Sequence, residues 1–536
     1  MKRFYYFLIL SAILFIAGCN SQNEEVTKDV VYSGFGAQET VSGSLHTLQV
    51  GNDQYIIDAG SFYGEGDNYP LPEEVNINNI EGVFITHAHA DHIGRLPLLL
   101  HEGYSGPIYM TPITYDIAKI SLESSIRYMD FGEETFYYSR NNESDQKPVY
   151  VERFSYGEFE VQEQNRVYID SKREELDEQG FYLSSDTVDY LGEELLNKLD
   201  NQVNLIDFNE ELPKDDLVVE FIHTSHLPGS AMIKFEIDTK NLLFTGDIGS
   251  DRSPFLDNNS MIDEPVDYIF AEGTYGLFSI ENEGRESTYK EERSAFKQFL
   301  GEAVEKNKRI IIPAFVLDRT QQVLYEIKAA MEEGEIPSDT IVKAYSPTSE
   351  EITNLYSYYS NNEEKYQSYF SETMFTEELF NITNLIYNPR QQDSNLYDMS
   401  IEYGEIALMS SGMLSSAFSY EAVKNYIEDE DTVFVLVGYQ DPDEIGGKLK
   451  HGYEEINIEG ENYQINAEVF DSPAFSGHGD INQIYTILKQ TNPSELFLVH
   501  LNADEGDLLK AEYEELFPDT EVFVPQYKEE YHLFSY

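Results

Sequence analysis

Cysteine occurs once in the 536 residues, at position 19. An internal disulfide is therefore excluded, and any metal centre must use nitrogen and oxygen ligands instead of thiolates. Basic residues are also scarce. Lys and Arg number 35 against 99 Asp and Glu, for a net charge of −64. That balance excludes a broadly basic surface for nucleic acid and leaves room only for a local basic patch. A solvated acidic shell suits a saline exterior, where salt shortens the range of self-repulsion. Internal repeats and low-complexity tracts are absent. The 41% hydrophobic content is enough to build cores for two or three domains.

The N-terminus reads as a targeting signal. Lys2 and Arg3 precede the apolar run FYYFLILSAILFIA, which is short for a membrane span. The segment ends in Ile16-Ala17-Gly18-Cys19, which resembles a bacterial lipobox. The resemblance implies a signal peptide over residues 1–18, lipidation of Cys19 and a polar tether over 19–29. The chain is then expected to be exported and anchored to the outer face of the bacterial cell membrane.

From Val30 short apolar runs alternate with turn signals (HTLQV, QYIID, GVFIT, PIYMT), as strands of a β-rich layer do. Residues 129–217 are rich in Glu, Asp, Asn and Tyr with weak periodicity, and read as a loop-rich excursion with one or two helices such as TVDYLGEELLNKL. Strand signals return at LVVEFIHTS, AMIKFEID, NLLFTGD and VDYIFAEG. After about residue 280 helical stretches alternate with all-apolar runs (RIIIPAFV, TIVKAY, EIALMSS, TVFVLVGY), the pattern of a parallel sheet covered by helices. Beyond about residue 468 the earlier style resumes. The expected organisation is a first domain over 30–280, an inserted domain over 281–467 and a return segment over 468–536.

The chemistry concentrates in GVFITHAHADHIG. In an extended loop His87 and His89 point the same way and can share one metal ion, while Asp91 and His92, at the start of a helix, can face a second. Imidazole and carboxylate suit Zn²⁺. This cluster resembles the metallo-β-lactamase fold. The resemblance implies a supporting role for Asp58 in YIIDAG, completion of the first site by His226 in SHLPGSAM, and a bridging role for Asp247 in LLFTGDIG. His223 is a competing candidate for the place given to His226.

A narrower resemblance is to the β-CASP nucleases. FAEGTYG places Glu272 at their acidic motif, RIIIPAFVLDRTQQVL includes Arg319, FSGHGD supplies His478, and FLVH supplies His500. The fold implied is α/β: a metallo-β-lactamase αβ/βα sandwich with an inserted α/β β-CASP domain. The implied activity is a two-zinc phosphodiester hydrolase, acting endonucleolytically on single-stranded RNA. Asp91, His92, Asp247 and His500 would hold the second ion, with Asp91 and Asp247 counted among the catalytic groups. His478 would be the general acid, with Glu272 hydrogen-bonded to it. Arg319, Ser476 and Gly477 would touch substrate, and Lys448 and Lys450 would add to a local basic path.

Two alternatives carry different chemistry. One is a zinc hydrolase of the same fold acting on DNA, a cell-wall phosphodiester or another ester. The other is a surface binding lipoprotein with a vestigial site. The sequence also departs from the family pattern. His500-Leu501-Asn502 stands where relatives continue His-Gly-Glu, and DPDEIGG at 441–447 is more acidic than its counterparts.

Overall fold

The computed structural model describes residues 27–536, apart from 63–70, 127–132, 141–148, 156–180, 184–186, 215, 277–288, 377, 392–395, 416 and 504. The signal-like segment and Cys19 lie outside the described residues.

Two seven-stranded sheets face each other. The first runs Glu530–Ser535, Asp29–Gly34, His46–Val50, Asp53–Ile57, Ile80–Phe84, Ile108–Met110 and Val203–Leu205. The second runs Glu211–Lys214, Leu217–His223, Ala231–Ile237, Lys240–Phe244, Tyr268–Glu272, Glu495–Val499 and Glu521–Phe523. Strand residues that alternate inward fill the space between them: Tyr32, Leu48 and Phe84 from one sheet meet Phe221, Phe235, Phe244, Phe270 and Phe497 from the other. Phe244 and Phe270 stack at 4.2 Å between ring centres. Helices cover the outer faces, with Pro112–Ser125 against the first sheet and Ile481–Thr491 against the second. No helix among the described residues is long and apolar enough to cross a membrane.

Between two neighbouring parallel strands of the second sheet, Tyr268–Glu272 and Glu495–Val499, the chain leaves to build a six-stranded sheet in which every pairing is parallel. Its order is Leu385–Tyr387, Val342–Tyr345, Ile406–Met409, Arg309–Pro313, Thr432–Leu436 and Glu468–Asp471. The last of these strands falls within the expected return segment, yet it pairs with Thr432–Leu436. The crossing back therefore follows Asp471. Phe470 on that strand stacks on Phe299 of the inserted domain at 3.9 Å, which gives the reason for its place.

The expectation of loops over 129–217 is corrected in part. Strands Glu133–Arg140, Val149–Ser155 and Phe181–Leu183 form a small antiparallel sheet, followed by the expected helix at Thr187–Gln202. The Tyr, Phe and Val content of ETFYYSR and VYVERFS favours strand over loop.

The two domains are held at fixed points. Tyr359 of the inserted domain donates to Asp116 at 3.0 Å, and Thr348 donates to Ser124 at 3.0 Å.

Candidate metal centre

The site lies at the strand ends where the two seven-stranded sheets meet, and each ligand loop is tied down locally. Strand Ile80–Phe84 leads to Thr86, whose amide and hydroxyl both donate to Asp58, at 2.8 and 2.9 Å. Asp58 also lies 2.7 Å from Nδ1 of His92. It thus orients the loop and one imidazole together, with its own backbone at φ 61°, a region few side chains adopt. His89 stands at the N-cap position of the short helix Ala90–Ile93, which presents Asp91 and His92.

Two clusters carry most of the imidazoles: His87, His89, His226 and Asp247 form one, and Asp91, His92 and His500 form another, while Asp247 also groups with Glu272 and His478. Nδ1 of His89 lies 3.2 Å from Nε2 of His87 and 3.1 Å from Nε2 of His226. Asp247 stands between the clusters. Its Oδ2 lies 3.5 Å from His87 and 3.4 Å from His226, while its Oδ1 lies 3.3 Å from His92 and 3.9 Å from His500. His500 also lies 3.3 Å from Asp91.

Both oxygens of Asp247 and Nε2 of His92 are buried without a hydrogen-bond partner. Such groups are costly unless something else satisfies them. A pair of cations fits that demand. Burial holds His87 and His226 well below the usual imidazole range and His89 down to about 4, so their lone pairs are free to ligate. Burial opposes charge on His92 as well, but Asp247 and Asp58 on either side outweigh it and raise that imidazole well above its ordinary value. The site thus calls for positive charge there, supplied by a proton in the metal-free chain and by a metal ion when one is bound.

His478 and Glu272 adjoin these clusters. The ring Nδ1 of His478 lies 2.8 Å from Oε2 of Glu272, which is itself fixed by the Ile248 amide and by the Thr274 hydroxyl at 2.6 Å. Burial disfavours charge on His478, yet the carboxylates of Glu272 and Asp247 overcome it and raise the group to about 9 in the metal-free chain. The loop is set by a capping box: Asp480 caps helix Ile481–Thr491 and Gln483 caps Asp480 in return. Gly477 and Ser476, expected at the substrate, are tied to the protein through their backbone carbonyls. The Gly477 carbonyl lies 3.2 Å from Nδ1 of His226, and the Ser476 carbonyl accepts from Ser250 at 2.6 Å.

Arg319 opens helix Arg319–Glu333 of the inserted domain, and its Nε and Nη1 are buried without a partner. Lys450 is taken up by Asp471 at 3.1 Å. His223 faces away from the centre, its Nε2 lying 3.1 Å from the Asp257 carbonyl. Two contributors escaped the sequence reading. Thr274 lies within FAEGTYG but has no chemistry of its own to flag it. Its hydroxyl bonds Glu272 and sits 2.9 Å from Nδ1 of His500. His46 opens the strand His46–Val50, and its Nε2 lies 3.2 Å from Ser44, whose hydroxyl is 3.4 Å from Asp58.

The comparisons agree with this architecture. The Metallo-beta-lactamase superfamily model matches residues 47–277, the Beta-Casp domain model matches 320–449, and the Zn-dependent metallo-hydrolase RNA specificity domain model matches 462–525. A ribonuclease of Thermus thermophilus is 26% identical over 87% of the chain and 92% of its own length. A transcription termination factor of Methanosarcina mazei is 25% identical over 95% of the chain and 73% of its own. A probable RNase of Methanocaldococcus jannaschii is 22% identical over 89% and 94%. With this site in this fold, the chain is a metal-dependent hydrolase of the metallo-β-lactamase type carrying an inserted β-CASP domain.

Proposed function

We propose that the chain hydrolyses phosphodiester bonds in single-stranded RNA, using two zinc ions. The observation that carries the reading is Asp247, buried between two histidine clusters with neither carboxylate oxygen satisfied. His87, His89, His226 and Asp247 would hold one ion; Asp91, His92, Asp247 and His500 would hold the other. Bound there, the pair supplies Lewis acidity, both to activate a water near neutral pH and to offset charge on phosphoryl oxygens.

The residues of the chain then do the rest. Glu272 fixes Nδ1 of His478, leaving Nε2 to hand a proton to the departing ribose oxygen. Such a proton donor beside the metal clusters suits a poor alkoxide leaving group. Arg319 would pair with a backbone phosphate, which explains a guanidinium with buried and unpartnered nitrogens. The RNA specificity domain match and the ribonuclease relatives support RNA as the polymer. Within the same proposal, the lipobox-like Ile16-Ala17-Gly18-Cys19 anchors the chain by a lipid at Cys19 to the outer face of the cell membrane.

The test is a cleavage assay on the chain lacking its first nineteen residues. End-labelled single-stranded RNA and DNA are offered with zinc or with chelator, at low and at molar salt. Zinc-dependent internal cutting of RNA supports the reading. Cutting of DNA alone redirects it to that polymer. Two bound zinc ions with neither polymer cut would overturn it.

A further inference from the structure

The β-CASP sheet ends its parallel strands toward the metal centre, and ligands of such sheets bind beyond the carboxyl ends of the strands. Strand Thr432–Leu436 is followed there by Val437-Gly438-Tyr439-Gln440. The turn is pinned from below, since Gln440 donates to the Gly412 carbonyl at 2.9 Å. Gly438 sits at a close approach: a Cβ at this position would stand 3.1 Å from the Phe315 ring and 4.0 Å from Nε of Arg319. The same guanidinium reaches across to the catalytic loop, where its Nη2 is 3.5 Å from the point a Cβ on Gly477 would occupy. Arg319 thus spans the space between Gly438 and the residue preceding His478.

Next along the chain, Tyr439 is 38% exposed although the strand before it is fully buried. It shares its surroundings with Tyr275, whose ring lies 5.7 Å from that of His478. Burial, and then the charges of Asp441, Tyr275, Glu505 and Asp443, push the Tyr439 phenol up to about 12. Asp441 is held in place by accepting from the Asp443 amide at 2.9 Å, and Asp443 is exposed. Carboxylates at the rim would repel a phosphate. They suit the edge of a base, which carries N–H donors.

We propose that Tyr439, Asp441 and Asp443 form a base-recognition subsite for the nucleotide next to the cut, with guanine as its preferred base. The proposal rests on the ribonuclease reading. Arg319 takes the phosphate of that nucleotide, the Tyr439 ring takes the face of its base, and a carboxylate takes its edge. Unstacked RNA bases are recognised in this way, by aromatic faces and hydrogen bonds to their edges. Guanine presents two adjacent donors, N1–H and N2–H, to a single carboxylate. Uracil presents one donor flanked by two carbonyl oxygens, which a carboxylate repels. Adenine and cytosine each set a ring acceptor beside their amino donor and fall between. The acidity of DPDE, a departure from the family pattern, thereby gains a specific use.

The experiment is cleavage of single-stranded oligouridylates that carry one guanosine, with the zinc-loaded chain, mapped to the nucleotide. The readout is the ratio of kcat/KM at the guanosine step to that at uridine steps, which cancels any general loss of folded enzyme. We expect about a tenfold preference, the scale of one well-placed base contact. It should fall to within about twofold in the D441N/D443N variant, while Y439A should raise KM for every oligonucleotide. RNA cut with no base preference, or a preference that survives D441N/D443N, would overturn the subsite and leave the ribonuclease reading standing. Failure to cut any oligonucleotide with two zinc ions bound would overturn both.

Discussion

Oγ1 of Thr274 lies 2.9 Å from Nδ1 of His500, while its proton goes to Glu272 at 2.6 Å. One hydroxyl therefore couples the residue that orients His478 to an imidazole of the second metal cluster. With Nδ1 of His500 donating to Thr274, the lone pair on its Nε2 faces Asp91 and Asp247. On the two-zinc proposal, replacing Thr274 by Val should weaken one of the ions by about 10- to 100-fold, the usual cost of losing such a supporting partner. Thr274→Ser should restore it. A zinc competition titration that resolves the two sites checks both, and unchanged affinity in the Val variant would sink the link.

Asp247 predicts how the chain responds to metal removal. Without a cation both of its oxygens are buried and unsatisfied. Zinc held at about 1,000 times its dissociation constant stabilises the folded chain by about 4 kcal/mol. Chelation should therefore lower Tm markedly in the native chain. Asp247→Ala should bind at most one zinc ion, and its Tm should respond much less to chelator. Calorimetry with metal analysis on both proteins decides the point.

For His478, the informative comparison is between leaving groups. A ribose oxygen needs a proton as it departs, whereas a nitrophenolate does not. His478→Ala should cut RNA about 10²- to 10⁴-fold more slowly, within the span of general acid catalysis. The same variant should lose far less on an aryl phosphodiester. Equal losses on both substrates would assign His478 to metal binding or structure instead of proton transfer.

The grouping of candidate ligands was legible because ligand chemistry limits which residues can serve, and four of them lie within the stretch His87–His92. Asp247, Glu272, His478 and His500 lie far apart in sequence and became legible only through short motifs at strand ends. Both sheet systems were legible from their strand patterns, short apolar runs between turn signals in the first and all-apolar runs between helical stretches in the inserted domain. What stayed hidden depends on the third dimension. Asp58 and His500 adopt positive φ, at 61° and 53°, which no residue type at those positions announces. Thr274 and His46 act through other side chains, so nothing in their own identity marks them. The strand Glu468–Asp471 reads like any short amphipathic run, and only its pairing shows which sheet it joins.

The inserted domain contains a buried ion pair whose loss should be felt in stability. Arg293 donates to Glu326 at 2.6 Å and to Gln322 at 2.5 Å, with both charged side chains almost wholly enclosed. Removing one partner leaves an uncompensated buried charge, at a cost of about 3–5 kcal/mol. Glu326→Ala should accordingly lower the denaturant midpoint of the inserted domain. Replacing both residues together by Met and Leu should recover most of that loss, as apolar groups of similar volume often do. A double variant no more stable than the single one would show that Gln322 and the Arg252 carbonyl already compensate the guanidinium.

His46 is the most distant group expected to affect the metals. It is buried beneath the second cluster, and burial pushes its imidazole down to about 3, so it stays neutral across the working range of pH. Its Nδ1 lies 3.0 Å from the Tyr32 hydroxyl and its Nε2 lies 3.2 Å from Ser44, which leads to Asp58 and so to His92. The Ser44 to Asp58 step is long at 3.4 Å, so the influence reaching His92 should be modest. His46→Ala is expected to weaken the ion held by His92 by up to about tenfold, at the low end of the effect of supporting partners, and to leave the ion held by His87, His89 and His226 unchanged. His46→Gln, which can keep a contact on each side, should recover part of the affinity. The zinc competition titration distinguishes the cases. Equal weakening of both ions would mean that His46 supports the packing of the whole centre, whereas selective weakening assigns it to the chain that ends at His92.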